Sequence, residues 1–169
     1  VPWAIITTVS AQMWKWMYHD VYGVFNDLLV AKLHLLPANV AWVSNPATQL
    51  PSIELVDIWK ATPFVALLLL AGLQVIPGDI YEAAKVDGCT PWQSFRYVTW
   101  PFIMPFAYIA MTIRSLDVGR AYDIVKIMTD GGPAGRTELV WTLVARTGYS
   151  DAKMGLANAM AYFSILLSI

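Results

Sequence analysis

Few side chains here could carry covalent chemistry. The one cysteine, Cys89, has no histidine beside it, and the two histidines, His19 and His34, stand apart without the His-x-x-x-His spacing of a zinc site. Neither a Gly-x-Ser-x-Gly elbow nor a Gly-x-x-x-x-Gly-Lys phosphate loop occurs. The expectation is therefore no catalytic residue, no metal ligand and no nucleotide cofactor bound by this chain. A net charge of −1 offers nothing to nucleic acid. What the residues can do is mechanical. In Pro77-Gly78-Asp79-Ile80-Tyr81-Glu82-Ala83-Ala84-Lys85-Val86-Asp87-Gly88, Asp79 and Glu82 have capping-box spacing, so a helix is expected from Ile80. Gly88 suits the left-handed residue that ends a helix. Thr90 and Gln93 repeat the box, with Pro91 at the first helical position. Residues 78–97 should thus form two short helices with a sharp turn between them, a rigid knob able to pass force. The plain alternative is an ordinary folded loop with good caps.

Such a knob needs elements to push on. The chain is 57% hydrophobic and 14% charged, against about 25% charged residues in ordinary soluble domains. Its mean hydropathy is +0.52. Eight Trp and eight Tyr suit membrane interfaces. Four segments approach the roughly 20 apolar residues of a membrane span: 1–18, interrupted by Lys15; 53–76; 97–113, which is uncharged; and 154–169. The middle two lack the polar face of a soluble amphipathic helix. The knob is bracketed by them. Residues 20–52 hold an amphipathic piece, 21–36, suited to lying at a membrane surface, then a loop rich in Pro, Asn and Ser. Residues 114–153 form a longer polar region. The fold class expected is an all-α membrane protein with about four spanning helices in a single domain over 1–169. Because the sequence opens and stops inside apolar runs, it is expected to belong to a longer protein.

Here the motifs carry a resemblance. Glu82-Ala83-Ala84, Gly88, Val98 and Pro101 resemble the EAA loop of ABC importer permeases, E-A-A-x3-G-x9-I-x-L-P, with Val98 and Trp100 as apolar departures. Trp59-Lys60-Ala61-Thr62-Pro63-Phe64 and Leu73-Gln74-Val75-Ile76-Pro77 are similar to the maltose-type carbohydrate branch. So are Thr129-Asp130-Gly131-Gly132-Pro133 with Thr137-Glu138-Leu139, a T-x-G-G-P loop, and Tyr22-Gly23-Val24-Phe25-Asn26, a Y-G-x-x-N element.

The resemblance implies a polytopic helical bundle of the type I importer permease fold in a bacterial or archaeal inner membrane. It implies that residues 78–97 face the cytoplasm and dock on an ATPase subunit, with Glu82 meeting basic groups, Ala83 and Ala84 allowing close packing, Gly88 supplying the bend, and Asp87 counted among the coupling residues. The expected partners are a second homologous permease, a dimer of ABC ATPases holding ATP and magnesium, a solute-binding protein and lipid. Gly131, Gly132 and Pro133 would sit at the external mouth. Asp57, Phe64, Arg114, Asp117, Tyr122 and Asn158 would line a sugar path, although Arg114 and Asp117 could equally form an i, i+3 ion pair. The cargo implied is a di- or oligosaccharide; a glycerol phosphate, a polyol or a polysaccharide fragment is the alternative, and a membrane-embedded enzyme is disfavoured. Cation counts run against the implied orientation, with Arg114, Arg120, Lys126, Arg136, Arg146 and Lys153 outside and Lys85 and Arg96 inside. Nearby acids at Asp117, Asp123, Asp130, Glu138 and Asp151 offset several of the outer charges.

Overall fold

The computed structural model describes residues 2–167, and every regular element among them is helical. Among the described residues two helices are long and apolar enough to cross a membrane: Gln49–Gln74, of 26 residues, and Pro91–Gly119, of 29. At 1.5 Å per residue they extend about 39 and about 44 Å, more than a hydrocarbon core of roughly 30 Å. Only 17% and 11% of their most apolar stretches are buried inside the chain. Leu67, Leu70 and Leu73 on the first, and Phe102, Ile109 and Met111 on the second, stand exposed. A water-facing helix does not bare such rows, whereas lipid accepts them provided each backbone amide is satisfied within the helix. Pro63 and Pro105 lie inside these helices, as membrane helices tolerate.

The outer two apolar segments are helical as well. The first contains an 11-residue helix, Thr7–Met17, about 17 Å long and so shorter than a span. The Lys15 amine that interrupts its apolar run donates to the Ile127 carbonyl at 2.7 Å. This helix is therefore packed on one side against the short helix Asp123–Met128. The fourth segment forms Met154–Leu167, of 14 residues; its expected last two residues lie outside the described range. The amphipathic piece is also shorter than expected, with helical turns only at Val24–Asn26 and Asp27–Lys32.

The chain forms two compact units: residues up to Lys60 together with those from Gly119 onward, and Ala61–Val118. In the first, Ala11, Trp14 and Tyr18 meet Ile53, Val56, Ile124, Val125 and Met128 in one apolar core. Trp14 lies edge-on to Trp59 at 5.4 Å and stacks on Phe25 at 5.7 Å. In the second, Gly72 brings the two long helices together: a Cβ there would fall 2.7 Å from the Phe106 ring.

The Y-G-x-x-N element acquires a physical reason. Asn26 is 1% exposed. Its amide donates to the carbonyls of Asp20 at 2.9 Å and Val40 at 3.0 Å, while its oxygen accepts from the Val40 amide at 3.1 Å and the Trp42 indole at 3.0 Å. Gly23 allows the chain to return this closely, since a Cβ would lie 2.3 Å from the His19 carbonyl. Asn26→Ala strands two buried donors and should cost on the order of 3 kcal/mol. Denaturant unfolding in detergent should show that loss, and Asn26→Asp, which keeps the acceptor but turns a second oxygen toward the Asp20 and Val40 carbonyls, should lose at least as much.

Candidate functional site

The knob is built by backbone geometry as much as by side-chain caps. Its helix spans Gly78–Val86 and is entered from Pro77 in extended backbone, with no side-chain cap. The expected Asp79–Glu82 box and start at Ile80 are thus corrected. The Pro77 carbonyl already accepts the Ile80 amide at 3.3 Å, starting the helix two residues earlier. Asp79 instead lies in the first turn and Lys85 in the last, each complementing the helix dipole. The end follows expectation. Gly88 takes φ +77, its amide donates to Lys85 at 3.1 Å, and the Cys89 amide donates to Ala84 at 3.0 Å. This doubly bonded left-handed termination satisfies the last carbonyls.

The Thr90–Gln93 box forms with Pro91 at the first position: the Thr90 amide donates to Gln93 Oε1 at 2.8 Å and the Gln93 amide to Thr90 Oγ1 at 3.4 Å. The expected second short helix is, however, no separate piece. It runs through a wider π turn at Phe95–Thr99 into Trp100–Gly119, so the knob is welded to the second long helix. Tyr81 Oη and Thr99 Oγ1 lie 2.9 Å apart.

Glu82, Ala83, Asp87 and Gly88 are all exposed on the knob, whereas Ala84 is 7% exposed and packs within the chain. Of the alanine pair, only Ala83 is open to a docked partner. Sequence reasoning missed Val86 and Trp92, exposed by 88% and 71%. Their signal was available: Val86 lies four residues after Glu82, on the same helical face. Trp92 stacks on Phe95 at 5.6 Å. The knob therefore presents a carboxylate beside apolar surface.

The other expected residues fall in several places. Asp57 and Phe64 lie half-buried on the first long helix. Arg114 and Asp117, near the end of the second, form the anticipated i, i+3 pair at 3.4 Å. Tyr122 and Asn158 come together in a cavity of about 740 Å³ with Arg120, Trp141 and Tyr149, over an apolar floor including Val144 and Ala157. Arg120, Trp141 and Tyr149 were not singled out, because only the tertiary fold brings helices far apart in sequence around one space. Gly131, Gly132 and Pro133 belong to a loop closed by its threonines: Thr137 Oγ1 lies 2.7 Å from Thr129 Oγ1 and donates to the Gly132 carbonyl at 3.0 Å. Gly131 is buried at φ +78 and Pro133 is exposed. Lys126 bonds to Asp130, which holds its ammonium above the usual pKa. Arg146 pairs with Glu138 at 2.9 Å.

A capped knob between two membrane-length helices is thus accompanied by a ring-lined cavity. A family model described as the binding-protein-dependent transport system inner membrane component matches residues 3–169. The chain belongs to this family. It is 39% identical over 167 residues to the trehalose/maltose transport system permease protein MalF of Thermococcus litoralis, covering 99% of this chain and 55% of that relative. It is 33% identical over 169 residues to the sulfoquinovosyl glycerol transport system permease protein SmoG of Agrobacterium fabrum, covering 100% of this chain and 54% of that relative. Among solved structures, a bacterial ABC transporter involved in import of the acidic polysaccharide alginate matches with a TM-score of 0.87 at 24% identity, over 99% of this chain and 58% of that one. The same transporter type in complex with an alginate pentasaccharide-bound periplasmic protein matches at 0.86 and 25%, over the same shares. The chain therefore spans a little over half the length of these proteins and has the ABC importer permease fold of the inner membrane.

Gly88→Val places a branched side chain in left-handed backbone, which costs about 1–2 kcal/mol. Hydrogen exchange at the Gly88 and Cys89 amides should quicken roughly tenfold while the long helices remain protected. Unchanged exchange would mean that the bonded turn does not hold the knob.

Proposed function

We infer that this chain is part of the pore-forming subunit of an ATP-driven sugar importer, and that residues 78–97 couple it to an ATPase. The observation that carries the reading is the knob: a short helix with an exposed carboxylate and apolar tip, joined by a bonded left-handed turn to a capped turn that is continuous with a membrane-length rod. Docked in a cleft of an ABC ATPase, Glu82 would meet basic groups while Val86 and Trp92 bury against apolar ones. ATP and magnesium belong to that partner, and this chain hydrolyses nothing. ATP favours the outward-facing state only through its greater affinity for the closed ATPase dimer, and the knob transmits that difference to the long helices. A second permease of the same family and a solute-binding protein complete the assembly; the complex of the alginate relative with its periplasmic protein supports the latter.

In this orientation residues 114–153 lie outside. The cation excess there is partly neutralised, since Arg114, Lys126 and Arg146 are paired with Asp117, Asp130 and Glu138. Three sugar-transporting relatives support a saccharide cargo. Trp141, Tyr122 and Tyr149 give the cavity ring faces suited to sugar C–H surfaces, and Asn158 gives it an amide. Among the described lining residues Arg120 is the charged one, which favours an acidic saccharide over a polyol. Asp57, Phe64, Arg114 and Asp117 are the proposed remainder of the path.

Glu82→Lys should leave insertion and assembly intact and ATP hydrolysis running, but abolish solute uptake into proteoliposomes carrying the whole complex. Normal uptake would remove Glu82 from the coupling site. Offered maltose, trehalose, an alginate oligosaccharide and glycerol 3-phosphate, the wild-type complex should take up a saccharide. Uptake of the phosphate alone would overturn the sugar reading.

A further inference from the structure

The knob helix has two faces that do different work. At 3.6 residues per turn, Tyr81 and Ala84 share one side and Glu82 and Val86 the other. The second side is exposed. The first is turned into the chain: Ala84 is the helix's buried residue, and Tyr81 Oη lies 2.9 Å from Thr99 Oγ1 across 18 residues of sequence. Thr99 is 9% exposed and closes the π turn through which the knob runs into the second long helix. The knob helix joins the long helices through residues 75–77 before it and the bonded turn at 87–90 after it. Two short connections fix the knob's ends but leave it free to roll about the line between them, so a pull on Glu82 would be partly absorbed before moving a rod. A side-chain bond from the inner face to the base of the rod removes that slack.

We propose that Tyr81 is a positioning residue for coupling, whose hydroxyl, bonded to Thr99, fixes the knob's angle on the second long helix so that displacement of the knob becomes displacement of the rod. The inference rests on the coupling role of the knob, and its partner chemistry is that of a docked ATPase pulling on the opposite face. Ala84 serves the same end by its size, since it lets the knob helix lie close to the π turn. Neither residue touches cargo or nucleotide.

The test uses the whole importer in proteoliposomes and counts ATP hydrolysed per solute moved. Tyr81→Phe keeps the ring and loses the bond; Thr99→Val keeps the volume and loses the same bond. Each should raise the ratio about two- to tenfold, the range expected for one hydrogen bond, without lowering ATPase activity. The double variant should be no worse than either single one, and Thr99→Ser should restore the wild-type ratio. A structural defect alone would lower hydrolysis and uptake together, and that outcome overturns the proposal. Glu82→Lys is the control that separates the two claims. If it uncouples while Tyr81→Phe and Thr99→Val keep the wild-type ratio, the latch is wrong and the docking reading stands. If Glu82→Lys transports normally, both fall.

Discussion

Hydrocarbon offers no hydrogen bonds, so a backbone that crosses it must satisfy its own amides and carbonyls, and a backbone that leaves it between two crossings must be terminated cleanly. Much of this chain follows from that constraint. The two long helices close their bonds internally and give their apolar side chains to lipid. Between them the termini are resolved in little space: Gly88 and Cys89 return their amides to Lys85 and Ala84, and Thr90 and Gln93 cap each other. The result is short and stiff because its polar groups are already paired. Stiffness is what a force-bearing element requires.

The same economy explains two recurring patterns in the other unit. Asn26 answers the polar groups of a loop from Asp20 to Trp42 with one side chain, and Gly23 permits the close return that puts it there. Thr129 and Thr137 close the turn containing Gly131, Gly132 and Pro133. In both places a sequence signature reads as satisfaction of buried polar groups. Contact between the Gly131–Pro133 turn and a partner would add to that role without replacing it.

Sequence carried the parts that depend on local chemistry. The two middle spans, the left-handed Gly88, the Thr90–Gln93 box and the Arg114–Asp117 pair are all set within a few residues. It misjudged the start of the knob, where the extended backbone of Pro77 took precedence over the Asp79–Glu82 spacing. It split one continuous helix in two, because a π turn has no side-chain signature. It read Lys15 as a break in the first apolar segment, and only the fold shows that the amine has a carbonyl partner 112 residues away. The Tyr81–Thr99 bond and the meeting of Arg120, Tyr122, Trp141 and Asn158 are tertiary facts, and no periodicity points to them.

Which side the knob faces, and what covers it, decides the whole account. A single thiol introduced as Val86→Cys, with Cys89→Ser and no other cysteine in the importer's permease, reports both. A membrane-impermeant maleimide should label it only from the side on which ATP is hydrolysed, and assembly with the ATPase pair should shield it. Labelling from the opposite side, or labelling that the bound ATPases leave undiminished, would contradict the coupling mechanism.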